Sequence, residues 1–168
     1  MYTFACANVF YSTIENILRS IKNIKIINMS ASYDDRGDLV YCNEFNFIQK
    51  KIKRFYQITN NNINFVRAWH GHKKEEKFLL VLQGAFKICA VKIDNWKNPS
   101  KKLHVKQFII NANSPKIVHI PGGYAHGTQN LQSASKLIVF STFSLKQTIQ
   151  DDYRFKSELW YDWNIQSR

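Results

Sequence analysis

The chain has 168 residues, of which 45% are hydrophobic, 14% aromatic and 21% charged; this supplies one domain with a core and excludes wholesale disorder. Lys and Arg number 24 against 12 Asp and Glu, a formal net charge of +12, so nucleic acid, a phosphorylated small molecule and a plain compositional bias compete as explanations. No apolar run approaches a membrane span and the N-terminus lacks a basic start with an apolar centre, so the expectation is a cytoplasmic protein without membrane association.

In chain order, the first signal is helical. Ser12 and Glu15 have capping-box spacing, and Ile14, Ile17, Leu18 and Ile21 recur at i, i+3, i+4 and i+7, which predicts a short amphipathic helix over 12–22. Residues 1–33 are thus expected to be a helical appendage and 34–168 the main domain. From Asp34-Asp35-Arg36-Gly37-Asp38 onward the helical period gives way to short β-rich runs at 40–42, 53–59, 64–72, 77–82, 86–93, 103–110, 117–120 and 136–142. Gly, Pro and Asn mark the breaks, and many short strands predict an all-β sandwich or barrel.

Cys6, Cys42 and Cys89 form no CxxC pair and suggest neither a disulfide framework nor a thiolate zinc site. The run Lys50-Lys51-Ile52-Lys53-Arg54 is expected to be a solvated strand edge. The stretch over 151–163, with Tyr153, Phe155, Trp160, Tyr161 and Trp163, is too aromatic for disorder and is expected to pack on the body or on a second subunit. No helix-turn-helix, zinc-knuckle or RNA-recognition motif accompanies the charge, so nucleic acid is not an expected partner.

Two histidine clusters carry the chemical interest. In Arg67-Ala68-Trp69-His70-Gly71-His72-Lys73, strand alternation would place Ala68, His70 and His72 on one face. In Pro121-Gly122-Gly123-Tyr124-Ala125-His126-Gly127-Thr128-Gln129-Asn130, a Gly-rich turn delivers His126 to the start of a further strand.

Together these segments resemble the two motifs of the cupin superfamily, a jelly-roll barrel. Pro121, Gly123, His126 and Asn130 follow the spacing P-x-G-x-x-H-x-x-x-N. The metal-binding version of the first motif would carry Glu where Lys77 stands, and a lysine there resembles a metal-free branch acting on nucleotide sugars. The chain is similar to the dTDP-4-dehydrorhamnose 3,5-epimerases and the dTDP-4-keto-6-deoxyhexose 3,4-ketoisomerases of RmlC-like fold. The run Lys53-Arg54-Phe55-Tyr56-Gln57-Ile58 and His70-Gly71-His72-Lys73 favour the ketoisomerases, whereas Ile120-Pro121 through Gly127 favours the epimerases.

The resemblance implies an isomerase for a nucleotide-diphosphate 4-keto-6-deoxyhexose in surface polysaccharide biosynthesis, cofactor-free and homodimeric. Of the two reactions, C3/C5 epimerisation is slightly preferred. It also implies roles. His70 would be the base next to the ketone, His72 a second catalytic histidine, Lys77 a donor to the keto oxygen, and Tyr56 or Tyr124 a stand-in for the epimerases' tyrosine acid, whose place is taken by Val139. Of these two, Tyr56 is counted catalytic and Tyr124 substrate-binding. Arg67, His126, Lys73 and Asn130 complete the expected substrate contacts. Asp151, Asp152 and Asp162 are candidates to orient the base, by proximity in sequence alone. The alternatives are a divalent transition metal held by His70, His72, His126 and Glu76, and a non-catalytic sugar-nucleotide binder.

Overall fold

The computed structural model describes residues 23–63 and 65–164; the helix expected over 12–22 lies outside them. Two five-stranded antiparallel sheets face one another. The first runs β1 (Lys25–Asn28), β9 (Lys116–Ile120), β6 (Lys77–Gln83), β11 (Lys136–Ser141), β4 (Arg54–Ile58), and the second runs β12 (Tyr153–Arg154), β5 (Val66–His72), β10 (Tyr124–Asn130), β7 (Ala85–Lys92), β8 (Val105–Asn111). A separate hairpin pairs β2 (Ser30–Asp34) with β3 (Gly37–Tyr41), and one short helix, α1 (Leu145–Gln150), follows β11. The all-β jelly-roll expectation holds. The boundary placed at residue 33 does not: β1 pairs with β9 in register from Lys25↔His119 to Asn28↔Lys116, so the barrel already includes residues 25–28.

Alternation explains which side chains meet inside. Leu79 and Val81 of β6, Phe86, Ile88 and Ala90 of β7, Val118 and Ile120 of β9, and Leu137 and Val139 of β11 project between the sheets and form one buried cluster. Their strand neighbours of opposite parity, Phe78, Ile117 and Phe140, lie on the outer face of the first sheet, where Phe45 covers them with an edge-on ring contact to Phe78 at 5.2 Å. Such two-sided burial is why these strands read as continuous apolar runs.

The outer face of the second sheet is closed by the chain's own aromatic C-terminal stretch. Trp69, Cys89, Val91 and Ala125 pack under Trp160, Tyr161 and Trp163, with the Trp69 ring 5.5 Å from Trp160 and 5.3 Å from Trp163. The indole N–H groups of Trp69 and Trp163 both donate to the Ser157 carbonyl at 2.9 Å, satisfying the polar edge of each buried ring. Gly127 sits under this cover. A Cβ there would lie 2.6 Å from the Ala68 side chain and 2.8 Å from the Trp163 ring, so the motif glycine is required by close packing of strand on indole.

One irregularity shapes the site. Opposite β10, the register of β5 passes from His126↔His70 to Thr128↔Arg67, so β5 spends three residues where β10 spends two, a β-bulge. The expected alternation therefore breaks: Ala68 packs outward with Trp69 instead of sharing a face with His70 and His72, and Arg67 turns inward with the histidines.

Candidate active site

One end of the barrel opens into a cavity of about 470 Å³, within the range of small-molecule sites. β5 contributes Arg67, His70 and His72, β10 His126 and Thr128, β6 Lys77, and β4 Arg54 and Tyr56. Leu79 and Val139 line it as apolar residues, and α1 adds Leu145, Thr148 and Ile149. The His126 ring lies 5.9 Å from His70 and 6.0 Å from His72, because His126 is the cross-strand partner of His70.

The three imidazoles have different surroundings. His72 is 3% exposed, and its Nδ1 stands 2.8 Å from the carbonyl oxygen of Asp151 and 3.1 Å from Glu75 Oε2. The Asp151 carbonyl accepts from Nδ1 and the Glu75 carboxylate stands close by, which fixes the proton there, so Nε2 carries the lone pair, and it is buried with no hydrogen-bond partner among the described residues. His70 instead meets Arg154, whose Nη1 contacts both ring nitrogens, Nε2 at 3.2 Å. A guanidinium only donates, so His70 is held neutral as an acceptor. Burial, then the charges of Arg154 and Lys77, push the His70 pKa down to about 4. Burial and Lys77 likewise lower His72, while Glu75 opposes the shift. His126 is driven well down, chiefly by burial.

Lys77 and Tyr56 form the opposite wall. The Lys77 ammonium donates to the Tyr56 hydroxyl at 3.3 Å, and its pKa is lowered to about 8, by burial before any other cause, with Glu75 acting against the shift. The Tyr56 phenol is pushed up to about 12 by burial and then by the Glu75 charge. Tyr56 is the register partner of Val139 across β4 and β11. A phenol therefore stands one strand away from the position where the epimerases' tyrosine was expected.

Several expected contacts lie elsewhere. Glu76, proposed as a metal ligand, pairs with His119 Nε2 at 2.8 Å on the outer side. The metal alternative fits poorly for that reason, and because the cations Lys77 and Arg154 share the cavity with the imidazoles; among the described residues no three His, Cys, Asp or Glu side chains are placed to hold an ion. Tyr124 is 3% exposed within the barrel core. Asn130 accepts from Asn60 Nδ2 at 2.9 Å and donates to the Gln132 carbonyl at 3.2 Å, pinning a turn. Lys73 lies over the Tyr153 ring at 4.6 Å, away from the cavity lining.

Arg54, Glu75 and Arg154 belong to the site or its support without having been expected there, and Asp152, expected only as a candidate partner of the base, joins them. Arg54 donates through Nη2 to Thr148 Oγ1 at 2.9 Å and through Nε to the Phe143 carbonyl at 3.2 Å, tying β4 to α1. Glu75 is 1% exposed. Asp152 and Arg154 line the cavity and pair at 2.8 Å. Parity was the available signal: Arg54 is two residues from Tyr56, Glu75 two from Lys77, and Arg154 two from Asp152. Asp151 anchors the arrangement, its carboxylate accepting the backbone N–H groups of Lys73, Lys74 and Glu75 at 2.8–3.0 Å while its carbonyl holds His72. Of the three aspartates weighed, Asp151 thus orients a histidine through its backbone, and Asp162 engages Asn164 instead.

Comparison with known proteins agrees with this fold. The chain is 38% identical over 71 residues to the TDP-4-oxo-6-deoxy-alpha-D-glucose-3,4-oxoisomerase of Aneurinibacillus thermoaerophilus, a match covering 42% of this chain and about half, 49%, of that relative. The WlaRB TDP-quinovose 3,4-ketoisomerase of Campylobacter jejuni superposes with a TM-score of 0.59 at 26% identity, over 83% of this chain and 98% of that one. The dTDP-4-dehydrorhamnose 3,5-epimerase of Bacillus anthracis, solved with TDP and pyrophosphate bound, shares the fold with a TM-score of 0.67 at 19% identity, over 88% of this chain and 90% of that one. The family described as FdtA, WxcM-like, C-terminal, matches residues 22–160. A match over residues 22–160 on the same barrel makes the chain a member of that FdtA family.

Proposed function

We propose that the protein is a cofactor-independent 3,4-ketoisomerase of a nucleotide-linked 4-keto-6-deoxyhexose, acting in surface polysaccharide biosynthesis. The observation that carries this reading is the bare, buried Nε2 of His72 facing a cavity whose far wall holds a cationic donor, Lys77, and a phenol, Tyr56. His72 Nε2 takes the C3 proton, and the C3–H electron pair forms the C3=C4 bond while the C4 oxygen becomes anionic. Lys77 and Tyr56 donate toward that oxygen, as an enediolate requires. The C4 oxygen gains a proton through Tyr56 as the C3 hydroxyl loses one, the His72 imidazolium returns its proton to C4, and the ketone then stands at C3. Hydrogen count and charge are unchanged overall, so no cofactor is needed. Arg67 and Arg54 supply positive charge for the diphosphate.

This places the base at His72, while His70, expected from the resemblance to be the base, is an acceptor engaged by Arg154. Epimerisation remains the second reading because Tyr56 stands across from Val139 and offers a proton donor on another wall. A proton NMR time course with TDP-4-keto-6-deoxyglucose in D2O tests both. A new C3 ketone is the expected result; deuterium entering C3 or C5 under an intact C4 ketone would establish the epimerase, and an unchanged spectrum would overturn the enzyme reading.

The rate should follow a bell-shaped pH profile. Neutral His72 is required, and its pKa is lowered from its ordinary value of 6.5, so the acid limb falls below that pH. Protonated Lys77 is required, so kcat/KM is expected to decline as pH rises through about 8. A profile still rising beyond pH 9 would remove the Lys77 ammonium from the mechanism.

A cytoplasmic homodimer fits the same reading. The hairpin β2–β3 is exposed along both strands, with Tyr33 67% and Leu39 64% exposed, an apolar ribbon suited to a second copy. No helix among the described residues is long and apolar enough to cross a membrane, and a nucleotide-sugar substrate suits the cytoplasm.

A further inference from the structure

Glu75 is a charged group beside the cavity that does not line it. Its side chain has no solvent exposure, yet it sits among four polar groups of the reaction machinery and its support. Ser141 Oγ donates to Oε1 at 2.6 Å; Arg54 Nη2 lies 3.6 Å away, His72 Nδ1 3.1 Å and Lys77 Nζ 3.9 Å. Among the described residues Oε2 has no hydrogen-bond partner. A buried carboxylate oxygen left so is costly and requires a reason. The His72 N–H is already directed at the Asp151 carbonyl, so Oε2 acts on the ring as a charge at close range.

We infer that Glu75 is the positioning residue that couples the two proton-handling groups, holding His72 in its Nδ1–H form, stabilising the imidazolium as it develops, and keeping the Lys77 ammonium charged in a buried wall. The inference rests on the reaction proposed above. Its logic is one carboxylate serving two cations that are needed at different moments. At rest, the charge of Glu75 is matched by Lys77 and Arg54. As His72 accepts the substrate proton, a third positive charge appears 3.1 Å from Oε2, and the uncommitted oxygen meets it without rearrangement, the role preorganised charges play in a water-excluded site.

Other charges surround the pair. On β4, Arg54 faces Glu75 and the phenol of Tyr56 faces Lys77; on β5 and β10, neutral His70 and His126 approach the same cavity. From the C-terminal segment come Asp152 and Arg154, paired with each other, and Asp151, committed to three backbone N–H groups. Glu75 is the carboxylate in contact with both His72 and Lys77.

The test is Glu75→Gln, which keeps the shape and removes the charge. Turnover should fall about 100-fold with KM changed less than about threefold. Both limbs of the pH profile should move in one direction, to lower pH, since loss of a negative neighbour favours the uncharged form of imidazole and ammonium alike. The same shifts should appear without substrate in 15N NMR titrations of the His72 ring and the Lys77 amine, and Glu75→Asp, which retains the charge, should bring the midpoints back toward wild type. Midpoints of His72 and Lys77 unmoved in Glu75→Gln would overturn the inference, even if turnover fell, because a merely structural role would lower stability and rate without moving them. Should Glu75→Gln fail to fold, the titrations of Glu75→Met, which also removes the charge at similar length, decide, downward shifts of both midpoints supporting the coupling and unshifted midpoints overturning it. A wild type inert toward nucleotide sugars, with titrations that still respond to Glu75→Gln, would sink the proposed reaction and leave the electrostatic coupling standing.

Discussion

His72→Ala is expected to lower turnover about 1,000-fold, the scale of a lost general base, while the barrel stays folded. The ring's Nδ1 bonds to the Asp151 carbonyl, and Asp151 keeps its three backbone donors when the ring is gone. His70→Ala should cost less, because His70 is bound to Arg154 and lacks the buried, unpartnered nitrogen that marks His72. Steady-state rates of both variants with TDP-4-keto-6-deoxyglucose, set beside their melting temperatures, separate the roles. The assignment fails if His72→Ala retains turnover while His70→Ala abolishes it; the base would then be the histidine that the family resemblance alone indicated.

For stability, the largest single effect should come from Trp69→Ala. The indole is fully buried, touches two further tryptophan rings and donates to the Ser157 carbonyl, so truncation opens a large cavity and removes one of that carbonyl's two indole donors. Losses of about 3–5 kcal/mol are usual for such a change, and in a chain of this size that corresponds to roughly 10 °C in melting temperature. Activity should suffer as well. The Trp69 backbone exchanges hydrogen bonds with Phe155 at 3.2 Å in both directions, and that pairing seats the segment that carries Asp152 and Arg154 into the cavity. Thermal melts followed by tryptophan fluorescence check the first effect. A shift under about 3 °C would mean that the aromatic cover contributes little to the fold.

Much of the barrel was legible from alternation, because its strands obey a period of two and are separated by Gly, Pro and Asn turns. Eight runs read from the sequence correspond to β3 through β9 and β11. The strands at 25–34 escaped because KIIN and SASYD carry little alternation, and α1 because its capping residues, Ser144 and Gln147, follow a strand without a break in composition. His70, His72, His126 and Lys77 were legible because two motifs fix their spacing. Arg67 was expected there through the family resemblance, but the bulge that brings it in is announced by no pattern. Tyr124 and Asn130, equally part of the motif, serve packing and a turn. The acid opposite Val139 illustrates the general limit: Tyr56 and Val139 are neighbours across two strands but far apart in the chain, and only register brings them together.

The two-residue strand β12 gives the cavity an unusual dependence. It is the outermost strand of the second sheet, held by the pairs Tyr153↔Gly71 and Arg154↔His70, and such short edges open by local fluctuation far more often than the whole domain unfolds. Each opening withdraws Arg154 from His70, removes a positive neighbour and lets the imidazole's affinity for a proton rise. The ionisation of His70 is thereby tied to the breathing of a remote stretch of backbone, so deuterium uptake by the Tyr153 and Arg154 amides and the titration of His70 should report the same motion.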